Sequence, residues 1–167
     1  MHDELTSVDI EKMRQELYER ENVLMPKILE DVKVARGFGD LSENFEYKSA
    51  KQEQRKNMSR IRYLKQMLAS AVVIDTASAE DVVGLFDKVK LFMEDDDEEM
   101  EVRFVTTLRQ NPLENLISKE SPLGKAVMGH RAGERLSVQV SDDYSYWVEI
   151  RSIEKGSDDE SLEISAY

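Results

Sequence analysis

The stretch Arg36-Gly-Phe-Gly-Asp-Leu-Ser-Glu-Asn-Phe-Glu-Tyr47 stands between two long helical patterns and decides how the chain is built. Gly37 and Gly39 tolerate backbone angles that other residues resist, so the chain can reverse there. Asp40 and Glu43 follow, three residues apart, close enough for their carboxylates to converge where a helix starts. The same spacing is that of a capping box, with Asp40 as N-cap and Glu43 at N3, which needs no function. Spacing alone favours the cap, and a cap can also be a ligand.

Before the turn, Ser7 is the predicted N-cap of a helix starting near Val8. Ile10, Met13, Leu17 and Leu24, then Ile28, Val32 and Ala35, recur on one face at steps of three or four, or twice that. Pro26 removes a hydrogen bond and clashes with the preceding turn, which predicts a kink or break around Val23–Pro26 and helix again to about Arg36.

After the turn, a second helix is expected from about Leu41 to Ala71. Tyr47, Ala50, Gln54, Asn57, Ile61, Leu64, Leu68 and Ala71 follow steps of three and four throughout, the repeat of a coiled coil. Gln54 and Asn57 sit mid-seam, where polar residues weaken packing but fix register. At a rise of about 1.5 Å per residue, about thirty residues make an arm of roughly 45 Å. Residues 1–75 are thus expected to form an antiparallel α-helical coiled-coil hairpin with an acidic tip near 37–47. An arm that buries one stripe suits reach; dimer arms and docking surfaces use the same form.

Lys48, Lys51, Arg55, Lys56, Arg60, Arg62 and Lys65 stand against one acid, Glu53. Lys48, Lys51, Arg55, Arg62 and Lys65 occupy two adjacent heptad positions, a basic stripe that a phosphate backbone could follow. Acids on the first helix, such as Glu16, Glu19, Glu30 and Asp31, could equally pair with it as a solvated face.

The 167 residues carry a net charge of −12 and no cysteine. The charge argues against wrapping free nucleic acid, and the missing cysteines exclude disulfides and thiolate metal sites. Residues 1–75 sum to −1 and residues 76–167 to −11, a split that suggests two domains. No apolar run reaches transmembrane length, and the acidic Met1-His-Asp-Glu-Leu start lacks a signal peptide's apolar core. A soluble cytoplasmic protein with no membrane partner is expected.

Beyond the connector Thr76–Asp81, the apolar period changes to two. Lys88–Met93 and Glu101–Leu108 alternate like half-buried strands around the acidic run Glu94–Glu99, read as a solvated hairpin loop. Leu116–Ser118 reads as a short strand. Ser121 and Pro122 open a short helix as N-cap and N1, and Gly129 ends it. His130 has no cysteine or serine partner that would make it catalytic. Glu134–Val140 and Tyr144–Glu154 read as two more strands, and Leu162–Tyr167 as a short last strand or a loose end. Residues 76–167 are therefore expected to be α+β, antiparallel strands with one short helix.

The run Ala35-Arg36-x-x-Gly39-Asp40-Leu41-Ser42-Glu43-Asn44-x-Glu46-Tyr47 resembles the tip signature of bacterial Gre transcript-cleavage factors (GreA/GreB type). Ala50-Lys51-x-Glu53-Gln54, Val73-Ile74-Asp75, Glu120-Ser-Pro-Leu-Gly-Lys-Ala126 and Gly129 continue the resemblance over nearly the whole chain. It implies an N-terminal coiled coil and a C-terminal domain of FKBP-like fold. It implies a factor that enters the RNA polymerase secondary channel and stimulates hydrolysis of the nascent RNA 3′ end in backtracked complexes. Such a factor is no enzyme by itself and completes the polymerase's active site. By this resemblance Asp40 and Glu43 would be the catalytic pair. They would share a magnesium ion with the polymerase and bind none tightly alone. Arg36, Asn44, Tyr47, Lys48, Lys51 and Arg55 would contact RNA or polymerase, and Glu120, Ser121 and Pro122 would dock on the polymerase. The factor would act as a monomer. Phe45 stands where the family usually has a small residue, and the segment after Lys155 is longer than usual. A non-catalytic secondary-channel regulator is the alternative; a peptidyl-prolyl isomerase or chaperone would rest on fold analogy alone.

Overall fold

A computed structural model of the chain describes residues 4–39 and 44–166. In chain order the elements are β1 (Glu4–Leu5), α1 (Ser7–Glu19), a π-helical turn (Arg20–Leu24), α2 (Met25–Arg36), α3 (Phe45–Ser70), β2 (Val72–Val73), β3 (Lys88–Met93), β4 (Glu98–Val105), β5 (Leu116–Ser118), α4 (Pro122–Val127), β6 (Arg135–Gln139) and β7 (Ser145–Glu154). The chain divides into two compact units: one takes in Ile10–Val72, the other Glu4–Asp9 and the chain from Val73 onward. No helix among the described residues is long and apolar enough to cross a membrane.

The first unit is a pair of helices held along a heptad seam. None of the predicted seam positions of α3 is exposed: Asn57 and Leu64 are buried, and Tyr47, Ala50, Gln54, Ile61, Leu68 and Ala71 are half-buried. Met13, Ile28, Val32 and Ala35 are buried on the opposing helix. Leu24 is not on that face: it is 37% exposed, and Met25 is half-buried in its place. The cause is the π-helical turn. Helix runs from α1 into α2 without the expected break, but the Met25 N–H donates to the Arg20 carbonyl five residues back. One extra residue in this turn relieves the crowding that Pro26 imposes, and it moves the apolar phase on by one.

Mid-seam polar groups fix the pairing. Asn57 Nδ2 donates to the Arg20 carbonyl (3.2 Å), and its Oδ1 accepts from the Arg20 guanidinium (3.0 Å). The Glu16 carboxylate receives both Arg20 (2.7 Å) and Arg60 (2.8 and 3.1 Å). Burial pushes the Glu16 carboxyl up, but the two guanidinium groups outweigh it and hold the carboxyl below its usual 4.5.

The second unit is a five-stranded sheet in the order β5-β4-β3-β7-β6, with α4 against β6. All pairs are antiparallel except β4 with β5, so the sheet is mixed at one edge rather than antiparallel throughout. The chain reaches that edge by the 3-10 turn Thr107–Arg109 and a loop, which reverses the expected strand direction. Leu108, expected at the end of a strand, is buried in that turn, and β4 ends at Val105. Val89, Leu91, Val102, Phe104, Leu123, Val127, Val138, Val148 and Ile150 form the core. Ser121 caps α4 as predicted, its hydroxyl accepting from Gly124 N–H (3.0 Å).

Glu4–Asp9 are tied into this unit. Ile74 N–H donates to the Leu5 carbonyl (2.9 Å). Thr6, not Ser7, caps α1: its hydroxyl accepts from Asp9 N–H (3.1 Å), and the Asp9 carboxylate accepts from Thr6 N–H (3.0 Å). This reciprocal pair satisfies two donors at once, which Ser7 has no acid in position to do. Asp9 and the fully buried Arg109 are paired at 2.8 Å, and Arg109 reaches Asp158 at 3.0 Å. Both are charge contacts rather than aligned hydrogen bonds. Thr106 and Thr6 hydroxyls donate to Asp9 (2.8 Å) and Asp158 (2.6 Å). Among the described residues, 162–166 form no strand. This segment runs along the unit, with Ser165 N–H on the Leu108 carbonyl (2.7 Å) and Leu162 packed near Leu85, Phe86, Val105 and Leu116.

Candidate functional site

α3 begins at Phe45, not near Leu41, because Asn44 is its N-cap: Asn44 Oδ1 accepts from Tyr47 N–H (2.9 Å). The expected capping role of Asp40, with Glu43 at N3, therefore does not apply to this helix. Asp40 and Glu43 themselves lie outside the described residues. The other end of the Asn44 amide donates to the Ala35 carbonyl at the end of α2 (2.6 Å). Ala35 also accepts from Phe38 N–H (3.1 Å). One side chain thus joins the two helices where the chain reverses.

Arg36 adds a second tie. Its guanidinium lies 5.7 Å from the Tyr47 ring centroid and donates weakly to the phenol oxygen (3.5 Å). The hydrogen bond from Arg36 holds the Tyr47 hydroxyl below its ordinary value. Of the residues expected to face RNA or polymerase, Asn44 and Tyr47 are thus engaged within the tip. Lys48 lies 5.7 Å from the Phe45 ring centroid, and Lys51 donates to Gln54 (2.9 Å). Phe45 is 80% exposed and lines an open groove of about 660 Å³ with Phe38, Ile28, Ala35 and Ala50.

The basic stripe divides. Lys65 pairs with Glu21, and Arg60 with Glu16. Among the described residues, Lys48, Lys51, Arg55 and Arg62 make no ion pair, and neither do Glu19, Glu30 or Asp31. Of the stripe, Lys48, Lys51, Arg55 and Arg62 therefore keep their positive charge available for a polyanion, while Lys56 beside them pairs with Glu53 at 3.7 Å. No three His, Asp or Glu among the described residues converge as metal ligands.

In the second unit, Glu120 is exposed just before α4 and Pro122 is exposed as its first residue. Ser121 is consumed locally, donating to the Ser118 carbonyl (2.7 Å) while it caps α4. Glu120 pairs with Lys119 at 3.2 Å, and Lys119 also pairs with Glu4. The ordering set is Asn44 and its partners; the sequence names Asn44, Arg36 and Tyr47 only as contact residues, and the capping role of Asn44 is the part it missed. The signal was there: Asn44 stands three residues before a glutamate-flanked tyrosine on the seam, a cap position as good as Asp40.

The comparisons agree with this layout. Residues 4–73 match the family described as transcription elongation factor, N-terminal, and residues 78–155 match transcription elongation factor, GreA/GreB, C-term. The transcription elongation factor GreA of Caldanaerobacter subterraneus subsp. tengcongensis is 42% identical over 137 residues, 81% of this chain and 87% of that protein. GreA of Oenococcus oeni is 36% identical over 152 residues, 90% and 94% of the two chains. The crystal structure of GreA factor homolog 1 from Thermus thermophilus is 26% identical, covers 93% of this chain and 100% of its own, and superposes with a TM-score of 0.43. On the two family matches and the identities to the two GreA proteins, the chain belongs to the GreA/GreB family of transcription elongation factors.

Proposed function

We propose that this transcription elongation factor binds bacterial RNA polymerase through the secondary channel and stimulates magnesium-dependent cleavage of the RNA 3′ end in backtracked complexes. The observation that carries the reading is the identity of the α3 cap. Asn44 performs that task, so Asp40 and Glu43 are not required for it. Two carboxylates fit magnesium by donor type, since this ion takes oxygen ligands and is commonly held by one or two acids plus phosphate. Asp40 and Glu43 would hold the ion only together with groups of the polymerase and the RNA. Bound there, magnesium would supply Lewis-acid activation of water and neutralise charge at the phosphate. Lys48, Lys51 and Arg55, free of ion pairs among the described residues, would follow the RNA backbone. Glu120 and Pro122 would dock on the polymerase. The factor acts as a cytoplasmic monomer and is no catalyst without its partner.

The test is a stalled polymerase complex carrying end-labelled RNA. Wild-type protein shortens the RNA, and Asp40→Ser abolishes shortening while leaving helix content unchanged. Undiminished cleavage by Asp40→Ser would refute the metal role. Phe45 favours a second reading, a non-catalytic regulator of the same channel, because a bulky exposed ring sits beside the tip. Polymerase inhibition without RNA shortening would select that reading.

A further inference from the structure

We propose that the open groove beside Phe45 is a docking site for a basic amphipathic helix of a partner protein, an activity beyond the function proposed above. All of its lining belongs to the first unit. Its walls are apolar and bare: Phe45 is 80% exposed and Phe38 67%, with Val34 and Leu24 exposed beside them. Ile28 and Ala35 are buried at its floor. Pairing of α2 with α3 leaves these walls uncovered, because the seam is filled by other positions. Large apolar side chains gathered in one groove with a polar rim mark an interaction surface, whereas scattered ones do not. The wall from Leu24 to Ala35 runs roughly 16 Å at about 1.5 Å per residue, the length of about three helical turns.

The rim sets the charge of the occupant. Asp31, Glu46 and Glu53 line the groove against a single cation, Lys27. Asp31 and Glu46 make no ion pair among the described residues, and Glu53 reaches only the exposed Lys56, at 3.7 Å. Heptad position puts Glu46 and Glu53 on one side of the α3 seam and Lys51 on the other. Lys48, though 5.7 Å from the Phe45 ring centroid, lines none of the groove, and neither do Lys51, Arg55 or Arg62. A polyanion would therefore follow the basic side and be repelled here. A second copy paired groove to groove would set the same acidic rim against itself. A helix whose apolar stripe is edged by lysine or arginine matches both the walls and the rim, the helix-in-groove mode of recognition.

The experiment needs no polymerase, so it stands or falls apart from RNA cleavage. The full chain is titrated into a fluorescein-labelled leucine–lysine peptide patterned as an amphipathic helix, and anisotropy is read at low salt. A scrambled peptide of the same composition and a leucine–glutamate peptide of the same pattern are the controls. The patterned leucine–lysine peptide binds saturably and the two controls do not. Phe45→Ser weakens binding at least about fivefold, the loss that marks an interface anchor, and leaves helix content unchanged because the ring is exposed. Asp31→Asn with Glu46→Gln weakens it as much and flattens its salt dependence. Asp95→Asn with Asp96→Asn, on the acidic loop of the second unit, leaves it unchanged. No binding of the patterned peptide, or a smaller loss for Phe45→Ser, would overturn the proposal. So would equal binding of the scrambled peptide, or a loss produced by the Asp95 and Asp96 changes, since either means adsorption by net charge alone. Sedimentation showing dimers that Phe45→Ser dissolves, with no peptide bound, would give the groove to a second copy and overturn it too.

Discussion

Arg109→Ala isolates what the buried charge cluster contributes to the second unit. The Arg109 side chain is fully buried and faces Asp9, also fully buried, at 2.8 Å. Its other branch meets Asp158, whose side chain is 11% exposed, at 3.0 Å. Removing the guanidinium strands the Asp9 carboxylate away from water, with the Thr6 amide and Thr106 hydroxyl as its remaining donors. Breaking a buried pair from one side costs about 3–5 kcal/mol, far more than the pair contributes net. Asp158→Ala leaves Arg109 still paired with Asp9 and exposes its site to solvent, so it should cost about 1–3 kcal/mol. Urea unfolding read by fluorescence is suitable because Trp147, the chain's one tryptophan, is 41% exposed on β7 of this unit. Arg109→Met with Asp9→Asn should recover part of the loss, since no charge is then left alone. A loss below about 1 kcal/mol for Arg109→Ala, or a double variant worse than the sum of the singles, would refute the reasoning.

Acid should loosen the helical unit through Glu16. Its folded value lies below the usual 4.5, so its contribution is present above that pH and is lost as pH falls through the lowered value. Glu16→Gln should flatten the dependence of helix melting on pH in that acid range; an unchanged slope would contradict it. Asn57→Ala should cost about 1–2 kcal/mol in thermal unfolding, because a buried amide with two partners on Arg20 is removed. Gly156→Ala should destabilise the second unit by about 1–3 kcal/mol in the tryptophan assay. A Cβ there would fall 2.1 Å from the Phe86 carbonyl oxygen, and wild-type stability would show that the final segment can lift away.

The heptad seam of α3 was legible because each of its positions obeys one period, and the burial pattern follows it from Tyr47 to Ala71. The α4 cap was equally plain, since Ser121-Pro122 has few other uses. Caps at Thr6 and Asn44 were harder. Each stands beside a competing candidate: Asp9, three residues on, decides for Thr6, a local spacing that was overlooked, while Asn44 is tied to Ala35, a partner in space. Leu24 was misplaced because a π-helical turn leaves no periodic mark; only Pro26 hinted at trouble. The Asp9–Arg109–Asp158 cluster joins residues far apart in sequence, and nothing local distinguishes them from surface charges. The parallel β5 edge depended on how a loop returns, which alternation does not encode.

The widened turn at Arg20–Leu24 has a consequence for length. Buried and half-buried positions Ile10, Met13, Leu17 and Arg20 step by three and four, and so do Met25, Ile28, Val32 and Ala35, but the join between the two series is a step of five. Shortening the chain by one residue there would restore an unbroken cadence, yet Pro26 would then jam an ordinary turn. Replacing the proline alone would leave one residue too many. Each alteration is a defect by itself and a remedy for the other, so this arm can shed its irregularity only by changing both together.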